Sequence, residues 1–377
     1  MSAEPSNLAP SEYQRYILPY VSRTFALTIP QLPAPVCDTV ANAYLLCRIA
    51  DTIEDDSALA TADKSQAHED FLAVLKGASD PRAFGRACAE SLSGATPPHE
   101  RELVCNTDNV VAVTHSFDAR TQEVLSRCVA IMCHGMSTYQ RNASLNGLRD
   151  LHDLDRYCYY VAGVVGEMLT ELFALRSERV RENRDQMLAL APSFGEGLQL
   201  TNILKDIWDD RRRGACWLPR ELFARYGVDL AQIEPETVGS GFAQAMTHMV
   251  GVAHGHLRDA MRYTLLIPSE ETGIRRFCLW AIGMAVLTLR RIHRRPCYSH
   301  GAEVKISRRM VKTVVVGSNL TARHDRLLTA LFGLSTLGLP RHAQPIDPEV
   351  SDWNANAMMG CSARLVSGGG VSDARIR

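Results

Sequence analysis

The sequence predicts an all-α protein in which a helical bundle surrounds a central cavity. Apolar residues recur three and four positions apart over long stretches, which is the spacing of one face of an α-helix. The composition is rich in good helix formers, and strand signals are scarce. Proline and glycine fall mainly between six largely helical blocks, at residues 21–53, 103–141, 151–176, 195–210, 242–267 and 273–293.

The length and composition predict one helical domain followed by a tail. The chain has 377 residues, of which 46% are hydrophobic, enough apolar material for a large core. No linker rich in glycine, serine and proline interrupts residues 1–340, so we expect them to form a single domain. The composition changes after Pro340, and the run SGGGV at residues 367–371 disfavours a helix. Residues 341–377 are therefore expected to be a mobile tail.

Charge and cysteine content narrow the expected partners and compartment. The formal net charge is −1, with 41 basic and 42 acidic residues, so no global field favours nucleic acid. The sequence shows no signal-peptide pattern or tail anchor, which predicts a soluble protein with at most peripheral membrane contact. Its 11 cysteines include no CxxC pair, which disfavours structural zinc and disulfides. We expect a cytoplasmic monomer that can associate peripherally with the inner face of a membrane.

The first of two aspartate clusters spans residues 44–56, with the sequence YLLCRIADTIEDD. Four of its polar residues follow one another at steps of four, three and four: Tyr44, Arg48, Asp51 and Asp55. These steps match the 3.6-residue turn, so the four side chains share one helix face. Their neighbours are apolar, whereas a surface helix normally spreads polar residues over a broad outer face. The narrow polar stripe predicts carboxylates that line an interior cavity.

The second cluster spans residues 199–210, with the sequence QLTNILKDIWDD. Its face combines two amides with two carboxylates, from Gln199, Asn202, Asp206 and Asp210. One pair of acids four positions apart occurs on many solvated helix faces, which is the alternative interpretation of either cluster alone. Two such pairs, both in apolar helices, favour a functional gap with carboxylates on both sides.

A gap of this kind is expected to hold divalent cations and a diphosphate. Facing carboxylates repel one another unless cations neutralise them. Ligands that are all oxygen select hard cations, and Mg²⁺ prefers a few carboxylates, several waters and substrate phosphates. Neither cluster contains the Glu-x-x-His pair of di-iron bundles. The sequence therefore predicts a diphosphate bridged by Mg²⁺, for which Mn²⁺ can substitute.

Four blocks of the sequence resemble the squalene/phytoene synthases, the head-to-head branch of the isoprenoid synthase fold. In chain order they are VSRTF at residues 21–25, the first aspartate cluster, YCYYVAGVVG at residues 157–166, and the second aspartate cluster followed by WLP at residues 217–219. The resemblance extends from about residue 16 to about residue 331. It implies that the predicted bundle is an isoprenoid synthase bundle with a central cavity.

The resemblance also implies roles for individual residues. The implied metal ligands are Asp51, Glu54, Asp55, Asn202, Asp206 and Asp210. The implied substrate contacts are Ser22, Arg23, Phe25, Arg48, Gln199, Asn202 and Phe277. The implied catalytic residues around the reacting centre are Tyr44, Arg48 and Tyr157. Without the resemblance, Arg23 reads as an ordinary surface arginine, and each aromatic ring reads as core packing.

The reaction that the resemblance implies joins two molecules of farnesyl diphosphate head to head through presqualene diphosphate. In the squalene-forming branch, which we favour, NADPH then supplies hydride. The segment expected to bind this nucleotide is VKISRRMVK at residues 304–312, with Lys305, Arg308 and Arg309 as contacts. An arginine of the family pattern is replaced here by Ser307, so a plain solvated basic face remains the alternative.

Two further alternatives stay open at the level of sequence. The first is a phytoene-forming or hydride-free relative, with dehydrosqualene or hydroxysqualene as product, and the second is a non-catalytic helical assembly protein. A departure from the family pattern also follows the second cluster, where relatives often have Gly-Arg-x-Tyr and this chain has GACW at residues 214–217. A diphosphate contact is therefore expected from one of three arginines, Arg211, Arg212 or Arg213.

Overall fold

Helices make up nearly all regular structure in residues 8–22, 24–140 and 144–342, the part of the chain that the computed structural model describes. The α-helices of these ranges are α1 (Pro10–Val21), α2 (Phe25–Thr28), α3 (Ala34–Asp55), α4 (Thr61–Leu75), α5 (Pro81–Ser91), α6 (Pro98–Cys105), α7 (Thr107–Ser116), α8 (Ala119–Gln140), α9 (Leu151–Cys158), α10 (Val164–Arg176), α11 (Glu178–Glu182), α12 (Arg184–Arg212), α13 (Arg220–Arg225), α14 (Ser240–Leu266), α15 (Thr272–Arg294), α16 (Gly301–Val304), α17 (Arg308–Thr321) and α18 (Asp325–Ser335). An isolated bridge joins Leu148 and Pro219, and the described ranges contain no β-strand. The all-α prediction is confirmed.

Helix α12 lies at the centre of the bundle and contacts α10, α14 and α15. Helix α3 packs against α8 and α10, on another side of the same core. One large cluster of buried apolar side chains runs through these helices, with residues such as Leu45, Leu204 and Val250 fully enclosed. The core therefore encloses the two helices that carry the aspartate clusters.

Two of the predicted helical blocks are interrupted in the structure. Block 21–53 contains Pro30 and Pro33, which lack the backbone N–H that a continuous helix needs. The chain accordingly forms α2, a 3₁₀ turn at Ile29–Gln31, and then α3 with Pro33 as its N-cap residue. Block 151–176 stays helical but contains one π-helical turn, Tyr159–Gly163, between α9 and α10. Such turns occur frequently at functional sites.

Helices α10 and α12 approach each other closely because small residues lie at their contact. A Cβ atom added to Gly166 would lie 2.0 Å from the carbonyl oxygen of Ala191. A Cβ atom added to Gly195 would lie 2.0 Å from the carbonyl oxygen of Ala162. No real side chain tolerates these distances, so glycine at both positions sets the separation of the two helices.

A buried ionic cluster joins α9, α12 and α14. His256 Nδ1 lies 3.2 Å from an Oε of Glu196, and His256 Nε2 lies 3.5 Å from an Oδ of Asp155. All three side chains are buried. Burial alone would lower the pKa of His256, but Glu196 and Asp155 outweigh it and raise that pKa. Because the carboxylates lie at opposite ring nitrogens, this arrangement suits a buried imidazolium better than a metal ion shared by all three residues.

Two helical stretches are long and apolar enough to cross a membrane by length and composition, Leu151–Arg176 and Thr272–Arg294. In their most apolar windows, 72% and 67% of the residues are buried inside the protein. Both stretches are therefore core helices of the bundle. The predicted tail begins at residue 341, and residues 343–377 lie outside the described part of the chain, so the domain boundary stays a prediction.

Candidate active site

The polar face predicted for the first aspartate cluster is present on α3. Arg48 Nη2 donates a hydrogen bond of 2.9 Å to the hydroxyl of Tyr44, which donates one of 3.0 Å to the carbonyl oxygen of Val21. Arg48 Nη1 lies 3.8 Å from a carboxylate oxygen of Asp51. The Nε atom of Arg48 is buried and has no hydrogen-bond partner among the described residues. The guanidinium is therefore held in place with one donor still available to a ligand.

The second polar face lies on the C-terminal half of α12. Lys205 links two members of this face, with its Nζ atom 3.1 Å from Asn202 Oδ1 and 3.0 Å from an Oδ of Asp206. Asp210 lies one turn further along, close to the helix end at Arg212. The predicted grouping of amides and carboxylates on one helix is therefore present, with Lys205 added to it.

A cavity of about 200 Å³ separates the two faces. Tyr44, Arg48 and Asp51 line it from α3, and Gln199 and Asn202 line it from α12. The rest of its wall is largely apolar and includes Phe25, Val161, Val165, Leu169, Phe194, Leu198 and Phe277. The two predicted faces thus lie on either side of one largely apolar cavity. Of the four principal acids, Asp51 belongs to its described lining and Asp206 to that of a neighbouring cavity, so the metal-ligand set stays a prediction.

Three aromatic rings stand close together in the wall of this cavity. The ring centroid of Phe25 lies 5.4 Å from that of Tyr44 and 6.4 Å from that of Phe277. Aromatic faces attract cations and exclude water. The structure therefore brings the predicted Phe25 and Phe277 to the same wall as Tyr44.

The acids at the ends of α3 and α12 crowd one another. Burial raises the pKa of Asp51 to about 7; Arg48 opposes this rise, and the nearby carboxylates of Asp55 and Glu100 add to it. Burial also raises the pKa of Asp210 to about 7, with further contributions from Asp206 and Asp55. Because Asp55 acts on acids of both helices, the two clusters lie within electrostatic reach of each other.

Sequence reasoning missed Glu100, which adds a carboxylate to this group. Glu100 lies in the first turn of α6, and its pKa is raised by burial and by the nearby Asp55. Arg48 and Arg213 act in the opposite direction on the same carboxyl group. In the sequence, Glu100 lies far from both aspartate clusters, after the end of α4 and α5, so no helical periodicity could have associated it with them.

Of the three arginines considered for a diphosphate contact, the structure places Arg213 beside the acids. Its Nη1 atom lies 3.9 Å from an Oδ of Asp55 and so bridges the ends of α12 and α3. Arg211 instead donates hydrogen bonds to the carbonyl oxygens of Leu230 and Ala231. Arg212 pairs with the half-buried Asp209. Arg213 is thus the arginine available at the mouth of the site.

Tyr157 lies beside the acids and outside the described lining of the 200 Å³ cavity. Its ring stacks on Trp217, with centroids 4.2 Å apart, and is 95% buried. Burial raises the pKa of Tyr157 well above its usual value, and Glu54, Asp55 and Asp210 contribute to the rise. The phenol therefore stays protonated next to the carboxylates of both clusters.

The remaining predicted site residues are Ser22, Arg23 and Glu54. The Oγ atom of Ser22 accepts a hydrogen bond from the backbone N–H of Phe25, so this buried serine satisfies the first N–H group of the short helix α2. Arg23 lies outside the described residues. Glu54 is buried, its carbonyl oxygen accepts a hydrogen bond from Lys64, and its charge acts on Tyr157. Its role as a metal ligand stays a prediction.

A second cavity, of about 610 Å³, adjoins the first. The two share Phe25, Leu198 and Asn202 in their linings. Lys205, Asp206, Lys305 and Arg308 contribute charged groups to the second cavity. Arg309 is exposed and does not belong to its described lining. Two of the three residues predicted to bind a nucleotide therefore meet at one cavity, and the third does not.

The chemistry of the donor set fits Mg²⁺ and a diphosphate. The acids supply oxygen ligands only, and two of them have pKa values near 7 because they are crowded and buried. Such crowding is relieved when a divalent cation binds between the carboxylates. The buried Nε of Arg48 and the guanidinium of Arg213 provide donors for phosphate oxygens.

Comparisons with known proteins agree with this geometry. The sequence profile of the squalene/phytoene synthase family matches residues 18–310. The squalene synthase ERG9 of Candida albicans is 30% identical over 296 residues, which represent 77% of this chain and 63% of that protein. The squalene synthase ERG9 of Saccharomyces cerevisiae is 30% identical over 294 residues, with the same shares of 77% and 63%. This chain thus spans about 63% of the length of these curated relatives.

Solved structures show the same fold. A structure of TcSQS with a bound ligand has a TM-score of 0.70 at 22% sequence identity, and the match covers 94% of this chain and 99% of that one. A dehydrosqualene synthase in complex with a ligand has a TM-score of 0.59 at 21% identity, covering 82% of this chain and 95% of that one.

The helical bundle and its two opposed aspartate faces define the isoprenoid synthase class of fold. Within that class, this chain belongs to the squalene/phytoene synthase family. The fold predicted from the sequence and the predicted family are both confirmed.

Proposed function

We propose that this protein is a squalene synthase, a prenyltransferase that condenses two molecules of farnesyl diphosphate and reduces presqualene diphosphate to squalene with NADPH. The observation that carries the proposal is an apolar cavity with Arg48 and Asp51 on one side and Gln199 and Asn202 on the other, next to a second cavity that Asp206, Lys305 and Arg308 line. The squalene synthases among its relatives support it, since they match 77% of the chain.

The first step is ionisation of an allylic C–O bond. Bound Mg²⁺ would act as a Lewis acid on the departing diphosphate, with Asp51, Asp55, Asp206 and Asp210 as its principal protein ligands and Glu54 and Asn202 in support. Arg48 is oriented by Tyr44 and Asp51 so that its buried Nε can bind a phosphate oxygen. Arg213 bridges the ends of the two acidic helices and offers a second cationic group.

The allylic cation must react with the second prenyl double bond before water reaches it. The rings of Phe25, Tyr44 and Phe277 can stabilise the cation and exclude water, because they form an apolar wall with electron-rich faces. Gln199 and Asn202 remain the polar groups on the opposite side. Proton loss then closes the cyclopropane, and we assign Tyr157 as a relay that gives its phenolic proton to the released diphosphate as it accepts the proton from carbon.

The sizes of the cavities place a condition on substrate binding. Ligand pockets usually measure about 300–1,000 Å³, and the inner cavity of about 200 Å³ is smaller than that. Two prenyl chains therefore require the inner and second cavities to open into each other. Phe25, Leu198 and Asn202 lie between them and would have to move.

We assign the part of the second cavity that Lys205, Lys305 and Arg308 line to the nucleotide, and the part beside Phe25 and Leu198 to the prenyl chains. NADPH would supply hydride to the cation formed by the second ionisation. Lys205, Lys305 and Arg308 offer positive groups to its phosphates. Ser307, which stands where the family pattern has arginine, caps α17 through a hydrogen bond from the N–H of Met310 to its Oγ atom, so it leaves the phosphate contacts to these neighbours.

Product analysis of the purified protein with farnesyl diphosphate and Mg²⁺, with and without NADPH, tests the function. We expect presqualene diphosphate without the nucleotide and squalene with it. Dehydrosqualene or hydroxysqualene in the presence of NADPH would replace the proposal with a hydride-free reaction. Turnover of geranylgeranyl diphosphate alone would indicate the phytoene branch. Absence of turnover with either substrate would favour a non-catalytic assembly protein.

The proposed setting is the cytoplasmic side of a membrane, with the protein as a peripherally bound monomer. The described cysteines are free thiols, and most are buried, which fits a reducing compartment. The substrate is amphiphilic and the product is a hydrocarbon, so a peripheral position would bring both into reach. The net charge of −1 gives no global field that would favour nucleic acid as a partner.

Mg²⁺ binding should release protons, which makes it pH-dependent. Asp51 and Asp210 have pKa values of about 7, above the usual 3.8, so each must lose a proton before it binds the metal. At pH values below the pKa, the affinity for Mg²⁺ should rise by up to about tenfold per pH unit for each proton released. Above the pKa it should level off. Calorimetric titration with Mg²⁺ and inorganic diphosphate, in buffers of different ionisation enthalpy, counts those protons.

The same acids should make metal-free stability pH-dependent. Between about pH 4 and pH 7 the folded protein binds more protons on Asp51 and Asp210 than the unfolded chain does, so their contribution to stability falls as pH rises through this window. The increase in melting temperature on adding Mg²⁺ should therefore grow with pH. A Mg²⁺ affinity that is constant across these values, with no proton release, would contradict the crowded-acid geometry.

A further inference from the structure

The outer face of the last two described helices carries large apolar side chains in contact with solvent. We call α17 and α18 together the C-terminal hairpin. Its exposed leucines and valine are 43–73% accessible, and they are Val316, Leu320, Leu327, Leu331, Leu334 and, just after α18, Leu337. Most of the large apolar residues exposed anywhere in the described part of the chain belong to this set. An exposed apolar patch of this kind marks an interaction surface.

The inner face of the hairpin is separate and already packs against the rest of the protein. Ala322 and Leu328 are buried with Met261 and Leu279 in a small apolar cluster of their own. The exposed Leu327, Leu331 and Leu334 follow a spacing of four and three, so they form a stripe directed away from that cluster. The stripe is therefore additional to what folding of the hairpin requires.

The charges of the hairpin identify the kind of surface that it fits. Residues 308–335 contain five Lys and Arg residues and one acid, Asp325. That acid is bound to the buried Arg275 at 2.6 Å, so its charge is compensated. Lys312, Arg323 and Arg326 are exposed. Apolar side chains flanked by an excess of basic residues are typical of helices that lie in the interface of an anionic membrane.

The hairpin also lies beside the second cavity. Arg308 and Val311, in the first turn of α17, line that cavity opposite Ala281 and Ala285 of α15. Leu27, which is 49% exposed, belongs to the same lining. A membrane that contacts the hairpin would therefore lie near an opening of the cavity system.

We propose that the outer face of the C-terminal hairpin is a docking surface for an anionic lipid bilayer. Val316, Leu320, Leu327, Leu331 and Leu334 enter the interface, and Lys312, Arg323 and Arg326 contact lipid phosphates. Only the purpose of this docking rests on the proposed function. That purpose is the passage of a prenyl substrate or hydrocarbon product between the cavity and the lipid. The binding itself depends on the hairpin alone.

Flotation of the full-length protein with vesicles tests this surface without any substrate. The probes are vesicles of phosphatidylcholine alone and of an equimolar mixture of phosphatidylcholine and phosphatidylglycerol. Wild-type protein should float with the anionic vesicles, and salt should weaken the binding. The triple variant Leu327→Gln/Leu331→Gln/Leu334→Gln should lower the partition coefficient at least about tenfold. Because the three substituted leucines are exposed, the variant should fold normally, and thermal melting checks this.

Matched controls separate the apolar and charged contributions. Leu145→Gln changes an exposed leucine elsewhere and should leave flotation unchanged. Arg323→Glu/Arg326→Glu should reduce binding to anionic vesicles, whereas Arg82→Glu/Arg86→Glu on α5 should not. Equal flotation of the wild type and the triple variant would overturn the proposal. So would a dimer in sedimentation velocity that the triple variant abolishes, because a second copy would then cover the face.

These outcomes are independent of the proposed reaction. Failure to form squalene, with flotation intact, would overturn the function and leave the docking surface standing. Loss of flotation in the triple variant should leave presqualene diphosphate formation in detergent solution unchanged, since none of its three leucines lines either cavity.

Discussion

The double variant Asp51→Asn/Asp206→Asn should lose at least about 10³-fold in kcat/KM for farnesyl diphosphate. Each substitution removes a negative oxygen ligand from one side of the gap while keeping the shape of the side chain. The departing diphosphate then lacks the metal charge that stabilises it. Steady-state kinetics in Mg²⁺ measures the effect, and normal turnover would refute the assignment of the metal site.

A gain in metal-free stability should accompany this loss of activity. Asp51 has a pKa raised to about 7 by burial and by neighbouring acids, so its neutral asparagine replacement relieves repulsion at alkaline pH. Matched controls are Asp38→Asn at the exposed beginning of α3 and Asp185→Asn in the first turn of α12. Both should retain activity within about twofold, because surface charges contribute little. A variant that loses activity by unfolding would instead lower the melting temperature.

Replacing His256 by glutamine should destabilise the protein by about 3–5 kcal/mol. The ring of His256 lies between the buried carboxylates of Glu196 and Asp155, which raise its pKa, and the substitution removes the cationic form that these acids favour. The free energy of unfolding, measured in urea at fixed pH, reports this cost. His248→Gln on the same helix is the control and should cost about 1 kcal/mol or less, since His248 is only half-buried.

The pH dependence distinguishes this ionic role from simple packing. The pKa of His256 is raised in the folded state, so its contribution to stability is fully present below about 6.5 and is lost as pH rises through the folded-state pKa. The His256→Gln variant should lack this alkaline decline. Adding Glu196→Gln to it should recover part of the stability, because one buried charge is removed. Equal pH profiles for wild type and His256→Gln would show that His256 is neutral.

The grouping of site residues on each helix was accessible from the sequence because helical periodicity is local. Steps of three and four place Tyr44 with Arg48 and Asp51, and Asn202 with Asp206, whatever the rest of the chain does. The same periodicity predicted the all-α class. It did not place the breaks near Pro33 or the π-helical turn at Tyr159–Gly163, since these depend on local hydrogen bonding.

Contacts between helices were beyond such reasoning. Glu100 reaches the acids from α6, and Arg213 rather than Arg211 or Arg212 lies beside Asp55. Residues on different helices approach only after packing, and close approaches such as that of Gly166 to Ala191 set where each helix lies. The cluster of Asp155, Glu196 and His256 likewise joins three helices through positions that share no sequence pattern.

The helical class, the family and the two aspartate faces follow from the sequence alone, because they depend on spacing along one chain segment and on motifs in order. Three features depend on how the helices pack: the two faces lie across one cavity, Lys305 and Arg308 line the next cavity whereas Arg309 does not, and the leucines of the C-terminal hairpin face solvent. The physical reason is that burial and electrostatic proximity arise from long-range packing, which local periodicity does not specify.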